Sequence, residues 1–132
     1  MGSLVSQPID AINGNVSIPG DKSISHRAVL FAGLTVGETH IRGLLESDDV
    51  KCTLKAMAHL GCITKQNGPG DWNISGRGIG GLSPFGGVLD MGNSGTAARL
   101  LLGVLASHPF TSFMTGDGSL CSRPMARVTT PL

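Results

Sequence analysis

Ile18-Pro-Gly-Asp-Lys-Ser-Ile-Ser-His-Arg-Ala-Val-Leu-Phe-Ala-Gly33 is the stretch on which the reading of the whole chain turns. An extended run ending at Ile18 breaks at Pro19-Gly20. A helix is expected to begin near Ser23, acting as N-cap, and to run to Gly33. Ile24, Ala28, Phe31 and Ala32 recur at i, i+4, i+7 and i+8, one apolar stripe for a core. Lys22, Ser23, His26 and Arg27 gather at the opening turn instead. Free N–H groups and the helix dipole make that end positive, so cations there are unfavourable in an isolated domain. An anionic ligand reverses the sign. Two solvated basic residues in a turn is the competing reading.

The 132 residues suffice for one domain with a core. Only 14% of them are charged and 20 are Gly, which points to a tightly turned α/β or α+β protein rather than a disordered one. A net charge of +1 argues against a general nucleic-acid or membrane-surface binder. Four Phe, one Trp and no Tyr leave few platforms for base stacking. Cys52, Cys62 and Cys121 are odd in number and lack metal-ligand spacing, so they read as reduced, packed thiols of a cytoplasmic protein. No apolar run approaches the length of a membrane span.

Beyond the organising turn, Gly14–Ile18 alternates like a strand and Thr39–Leu45 reads as a second one. Asp48 and Asp49 are expected to cap a helix over Val50–Leu60, with Val50, Leu54, Met57 and Ala58 buried and Gly61 just past its end. Capping explains this pair of carboxylates more cheaply than catalysis does. Strands are expected at Cys62–Lys65 and Trp72–Ser75 around the turn Asn67-Gly-Pro-Gly70, then a Gly-rich loop over 76–87.

A shift of 72 residues then lays Gly20 on Gly92, Asp21 on Asn93, Ser23 on Gly95 and Arg27 on Arg99. Val16 falls on Val88, and Val29-Leu30 on Leu101-Leu102. The second copy reads as strand 88–91, turn Gly92–Gly95, helix Thr96–Ser107 burying Ala98, Leu101, Leu102 and Leu105, and strand Thr111–Thr115. Its next helix is expected to start at Ser122, with Arg123 and Pro124 in the first turn. Nothing in copy two answers the strands after Gly61, so the chain reads as a piece of something longer.

Gly92-Asn-Ser-Gly-Thr-Ala-Ala-Arg99 is the second candidate site. Its glycines let backbone N–H groups approach an anion, Asn93 and Thr96 add neutral hydrogen bonds, and Arg99 adds charge. It lacks the Walker A and dinucleotide patterns. A plain helix-start turn is the alternative. With Lys22 and Arg27 at one helix start, Arg99 at a second and Arg123 at a third, the pattern favours a ligand with more than one negative group. His26, His40, His59 and His108 have no ligand spacing and read as surface or packing residues.

Pro19–Arg27, Leu44-Leu-Glu-Ser-Asp-Asp49, Asn93–Arg99 and Arg123-Pro124-Met125 together resemble, in order and spacing, the 5-enolpyruvylshikimate-3-phosphate synthase family. The likeness runs along the whole chain but covers only the leading part of such an enzyme. It implies two lobes of repeated βαβαββ units, about one and a half of which are present here. Residues 1–20 would hold a strand of the other lobe, and residues 21–132 a partial lobe. The implied reaction transfers the enolpyruvyl group of phosphoenolpyruvate to the 5-hydroxyl of shikimate 3-phosphate and releases phosphate. It uses no metal or organic cofactor.

By resemblance, Lys22 would touch both substrates, and Ser23 and Arg27 would hold shikimate 3-phosphate. Asn93, Gly95, Thr96 and Arg123 would shape the phosphoenolpyruvate side, supported by Arg99. Gly95 stands where glyphosate competes with phosphoenolpyruvate, and Leu100 stands where some members have Pro. The family's acid–base carboxylates would lie in a complementary C-terminal segment, without which no turnover is expected. Related transferases acting on a UDP-amino sugar would carry an Ala-Lys-Asn-Ala type of sequence in place of Asp21-Lys-Ser-Ile24. A non-catalytic anion-binding module is the reading from a different class.

Overall fold

The structure, a computed structural model, describes residues 3–132. Met1 and Gly2, the start of the segment assigned above to another lobe, lie outside the described residues. The order is α1 (Lys22–Leu34), β1 (Val36–Arg42), α2 (Asp48–His59), β2 (Ile63–Gly68), β3 (Asp71–Arg77), β4 (Val88–Asp90), α3 (Gly95–Leu105), β5 (Phe113–Thr115), α4 (Gly118–Cys121) and α5 (Ala126–Thr129). The class is mixed helix and strand, as expected.

β3 is the centre of an antiparallel sheet ordered β1-β3-β2. Thr39 and Thr64 both pair with Ile74, which is fully buried. β4 and β5 pair in parallel, Val88 with Phe113 and Asp90 with Thr115, and α3 makes the crossover that parallel neighbours require. α1, α2 and α3 pack on one another, and α1 also lies on β3. Val29, Val50, Met57, Ile74, Met91 and Leu101 fill the shared core.

Two glycines set how closely these layers approach. A Cβ on Gly20 would run into the Gly43 carbonyl oxygen, so only glycine lets the organising turn lie against the segment leading to α2. A Cβ on Gly76 would collide with the carbonyl oxygens of Ala32 and Thr35, where the end of α1 rests on β3.

Several elements depart from expectation. Residues 14–18 form no strand: they pair with no strand among the described residues, and Val16 and Ile18 are 80% and 82% exposed. An extended segment becomes a strand only when a neighbour takes up its backbone groups. α1 is capped by Asp21, whose carboxylate accepts the Ile24 N–H at 2.8 Å, and not by Ser23. Its buried face is Ser25, His26, Val29, Leu30, Ala32 and Gly33. Ile24 and Phe31 of the expected stripe are 68% and 66% exposed. The polar pair wins the inward face because both side chains find partners there.

α2 is capped by the Ser47 hydroxyl, with Asp48 and Asp49 inside its first turn, where carboxylates suit the dipole. Ala58 is exposed and Leu102 half-buried, while Thr53, Ala56 and Ala97 take their places inside. β1 lies three residues earlier than expected, at Val36–Arg42. Ser122 ends α4 rather than starting a helix, because Asp117 caps that single turn and Pro124 follows the end. Cys121 is exposed, unlike buried Cys62, and all three thiols are free.

Gly76→Ala is expected to destabilise the chain by about 1–3 kcal/mol, because two fixed backbone oxygens oppose the methyl. Gly103→Ala meets nothing within 4 Å on the exposed side of α3. It should stabilise the helix by up to about 1 kcal/mol. Urea midpoints of both variants check the pair; movement in the same direction would contradict the packing described.

Candidate anion-binding site

The first group sits at the start of α1. Lys22 Nζ reaches Asp49 Oδ2 of α2 at 2.9 Å. Arg27 folds back one turn, donating to the Ser23 carbonyl at 3.0 Å and to the Ser23 hydroxyl. The positive helix end is therefore already partly offset by Asp21 and Asp49, contrary to the expectation that only a ligand would compensate it. An arriving anion has to compete with Asp49 for Lys22.

Behind these exposed side chains lies a buried clasp. His26 Nδ1 meets Thr53 Oγ1 at 2.7 Å, and the Ser25 hydroxyl accepts the Leu45 N–H at 3.0 Å. His26 is fully buried and its Nε2 has no partner. Burial pushes its pKa below the usual 6.5; Asp49 opposes that shift, while Lys22 and Arg27 add to it.

The second group surrounds the start of α3. Ser94 caps the helix, accepting the Ala97 N–H at 3.2 Å. Arg99 donates to the Gly95 carbonyl at 3.3 Å and the Pro124 carbonyl at 3.2 Å. Its buried Nε has no partner. Arg123 donates to Asn93 Oδ1 at 2.5 Å, to the Asn93 carbonyl at 3.3 Å and to the Ser119 hydroxyl at 3.1 Å. A Cβ on Gly95 would lie 2.8 Å from one terminal nitrogen of Arg99 and 3.0 Å from one of Arg123. Two guanidinium groups thus face the space a side chain would fill. Thr96 follows in the first turn, half-buried.

The structure therefore joins Asn93, Gly95, Arg99 and Arg123 in one cluster, and Lys22, Ser23 and Arg27 in another. Among the described residues no hydrogen bond or ion pair connects the two. Both lie against the opening turns of α2: Asp49 holds Lys22, and one turn later Cys52 Sγ is 3.3 Å from where a Gly92 Cβ would be. Asp117, Ser119 and Pro124 were not anticipated as members. Asp117 had a legible signal, an Asp before Gly118-Ser119-Leu120 of the kind that starts a helix. Arg123 lies in the turn after α4, not at a helix start.

No group of three or more His, Cys, Asp or Glu side chains among the described residues is placed to hold a metal ion. No described helix is long and apolar enough to cross a membrane.

Residues 6–132 match the family model of EPSP synthase, 3-phosphoshikimate 1-carboxyvinyltransferase. The chain belongs to the EPSP synthase family. It is 60% identical over 126 residues to the 3-phosphoshikimate 1-carboxyvinyltransferase of Acidiphilium cryptum, covering 96% of this chain and 28% of that protein. For the enzyme of the same name from Granulibacter bethesdensis the identity is 62% over 117 residues, 89% of this chain and 26% of the relative. EPSP synthase from Acinetobacter baumannii superimposes with a TM-score of 0.86 at 44% identity, over 90% of this chain and 27% of that structure. The chain thus spans less than a third of the length of these relatives.

Within an EPSP synthase the Gly95 cluster has a simple test. Gly95→Ala has no backbone strain to meet and opposes only movable side-chain ends, so the chain should keep or slightly gain stability. Displacing the guanidinium tips is expected to weaken any binding of inorganic phosphate at this cluster by roughly tenfold, the scale of one charge-assisted hydrogen bond. Calorimetric titration of the two chains checks this; equal affinity would remove Gly95 from the site.

His26 adds a pH dependence. Because its pKa is lowered in the fold, the unfolded chain binds more protons as pH falls below 6.5, and stability drops there. His26→Gln should flatten that part of the curve. Urea unfolding from about pH 8 to about pH 5 measures it, and parallel curves for both chains would refute the assignment.

Proposed function

We propose that this chain supplies the anion-binding turns of an enolpyruvyl transferase. The reaction joins the enolpyruvyl group of phosphoenolpyruvate to the 5-hydroxyl of shikimate 3-phosphate and releases phosphate. The observation that carries this reading is the convergence of Arg99 and Arg123 on the empty side of Gly95. Two substrates bearing phosphate and carboxylate repel each other, and fixed cations at short range offset that repulsion.

On this reading Lys22 contacts both substrates, Ser23 and Arg27 hold the shikimate phosphate, and Asn93, Gly95, Thr96 and Arg123 hold phosphoenolpyruvate with support from Arg99. The hydroxyl gives up its proton to a base as its oxygen adds to the enol carbon, while an acid delivers a proton to the methylene carbon and turns it into a methyl group. The tetrahedral adduct then loses phosphate and one proton of that methyl group. The groups that move protons belong to the additional length that the relatives carry, and the extended segment before α1 completes a sheet of the lobe built there. On this reading the enzyme works in the cytoplasm.

Mixing this chain with a polypeptide carrying the remaining length of the Acidiphilium cryptum relative should restore phosphate release that depends on both substrates. Arg123→Gln in the mixture should lower that rate by about a hundredfold or more, the typical loss when a positioned charge donor is removed. A folded pair without phosphate release sinks the transferase reading. Tight binding of shikimate 3-phosphate by this chain alone, with no turnover in the pair, would support the non-catalytic module instead.

A further inference from the structure

We propose that Asp117 is a positioning residue that sets the polarity of the Asn93 amide and thereby aims Arg123 at the space beside Gly95. This deepens the phosphoenolpyruvate-side reading above and rests on it for its functional meaning. Asp117 is tied down three ways. Its N–H donates to the Gly92 carbonyl at 2.8 Å, Oδ1 accepts the Leu120 N–H at 2.7 Å, and Oδ2 accepts the Asn93 side-chain amide at 2.6 Å.

Asn93 lies between a carboxylate and a guanidinium, and that arrangement leaves it one workable orientation. With its NH2 towards Asp117 and its oxygen towards Arg123, both contacts pair a donor with an acceptor. Reversed, oxygen would face carboxylate and NH2 would face guanidinium. The second anchor of Arg123, the Ser119 hydroxyl, lies in the first turn of α4, which Asp117 caps. Both side-chain anchors of Arg123 are thus set by one carboxylate.

The relay also explains why an acid stands in an anion site. Among the described residues Asp117 makes no ion pair with Arg123 within 4.0 Å. A carboxylate in direct contact would compete with an incoming anion. A neutral amide between them fixes the guanidinium while leaving its charge available. The Leu120 and Asn93 bonds hold the Asp117 carboxyl below the usual range, with Arg123 adding to the effect, so it stays ionised and acceptor-only at neutral pH.

Asp117→Asn separates this role from helix capping. Asn is an equally good N-cap, so its oxygen can keep the Leu120 bond. Its NH2 then faces the Asn93 NH2, and Asn93 must turn over, which strips Arg123 of its acceptor. In the isotopically labelled chain, the Leu120 amide signal should be retained in D117N. Exchange of the Arg123 Nη protons should accelerate by roughly tenfold, the scale of one hydrogen bond to a charged group. The double variant D117N/N93D restores the donor–acceptor chain but puts a carboxylate directly on Arg123. Slow exchange should return, and inorganic phosphate should fail to protect Arg123 from phenylglyoxal.

Unchanged Arg123 exchange in D117N overturns the proposal, as does a double variant whose exchange stays fast. If D117N does not fold, recovery of fold and slow exchange in the double variant upholds the relay, and absence of recovery overturns it. Lack of phosphate protection in the unaltered chain would count against the phosphoenolpyruvate-side reading alone, because the exchange rates still decide the positioning role.

Discussion

A buried imidazole bonded to a buried hydroxyl is the contact on which the arrangement depends. His26 on α1 and Thr53 on α2 meet at 2.7 Å inside the core, flanked by the Ser25–Leu45 bond and the Lys22–Asp49 pair. Polar groups inside a core are costly unless partnered, so this clasp tolerates little sliding of one helix along the other. With α1 and α2 held in one register, the organising turn at Pro19–Asp21 is brought against the segment that leads into α2. Gly20 permits that approach and Ser25 bonds across it. The clasp has a cost of its own: Nε2 of His26 is left without a partner.

Charge in the two candidate turns is managed rather than merely accumulated. Each cluster of cations has a carboxylate close by, Asp49 in one and Asp117 in the other, and the two are used differently. Asp49 touches Lys22 directly and is only partly exposed, so the ammonium is held at a defined place until something displaces it. Asp117 acts at one remove, through an amide. Neither ion pairing nor helix dipoles need be large for this purpose; exposed pairs contribute little to stability, and their value is in placing the donors. Placement costs little here because α1, α2 and α3 are already packed for the sake of their apolar faces.

The sheet and the parallel pair stand in different relations to this core. In the three-stranded sheet the central strand brings Ile74 inward and Gly76 close beneath α1, so β3 determines how near the sheet can come. In the second half, β4 and β5 are three residues each, and α3 between them supplies most of the burial through Ala97, Ala98, Leu101 and Leu105. A short parallel pair of this kind depends on its crossover helix, which ties the geometry of the Gly92–Gly95 turn to the packing of α3.

Much of this was legible in the chain itself. The three long helices, the hairpin and the strands flanking α3 were legible from period and turn residues, and the family from the resemblance of its motifs, because those signals are local: a glycine past Leu60, a Pro-Gly break before α1, and an arginine near the start of two helices. Local signals also put Asn93, Gly95 and Arg99 at one strand-to-helix turn. What they did not convey was which side of α1 faces inward, since Ile24 and Phe31 make as good a stripe as Val29 and Leu30 until Thr53 and Leu45 arrive to partner His26 and Ser25. Nor could they show that residues 14–18 find no strand to pair with among the described residues, or that Asp117 belongs beside Asn93. Sequence determined the elements and their chemistry because each residue carries its own propensity and charge. Tertiary structure alone decided the faces and the partners, because hydrogen bonds between residues some 20 to 30 positions apart exist only after the chain has packed.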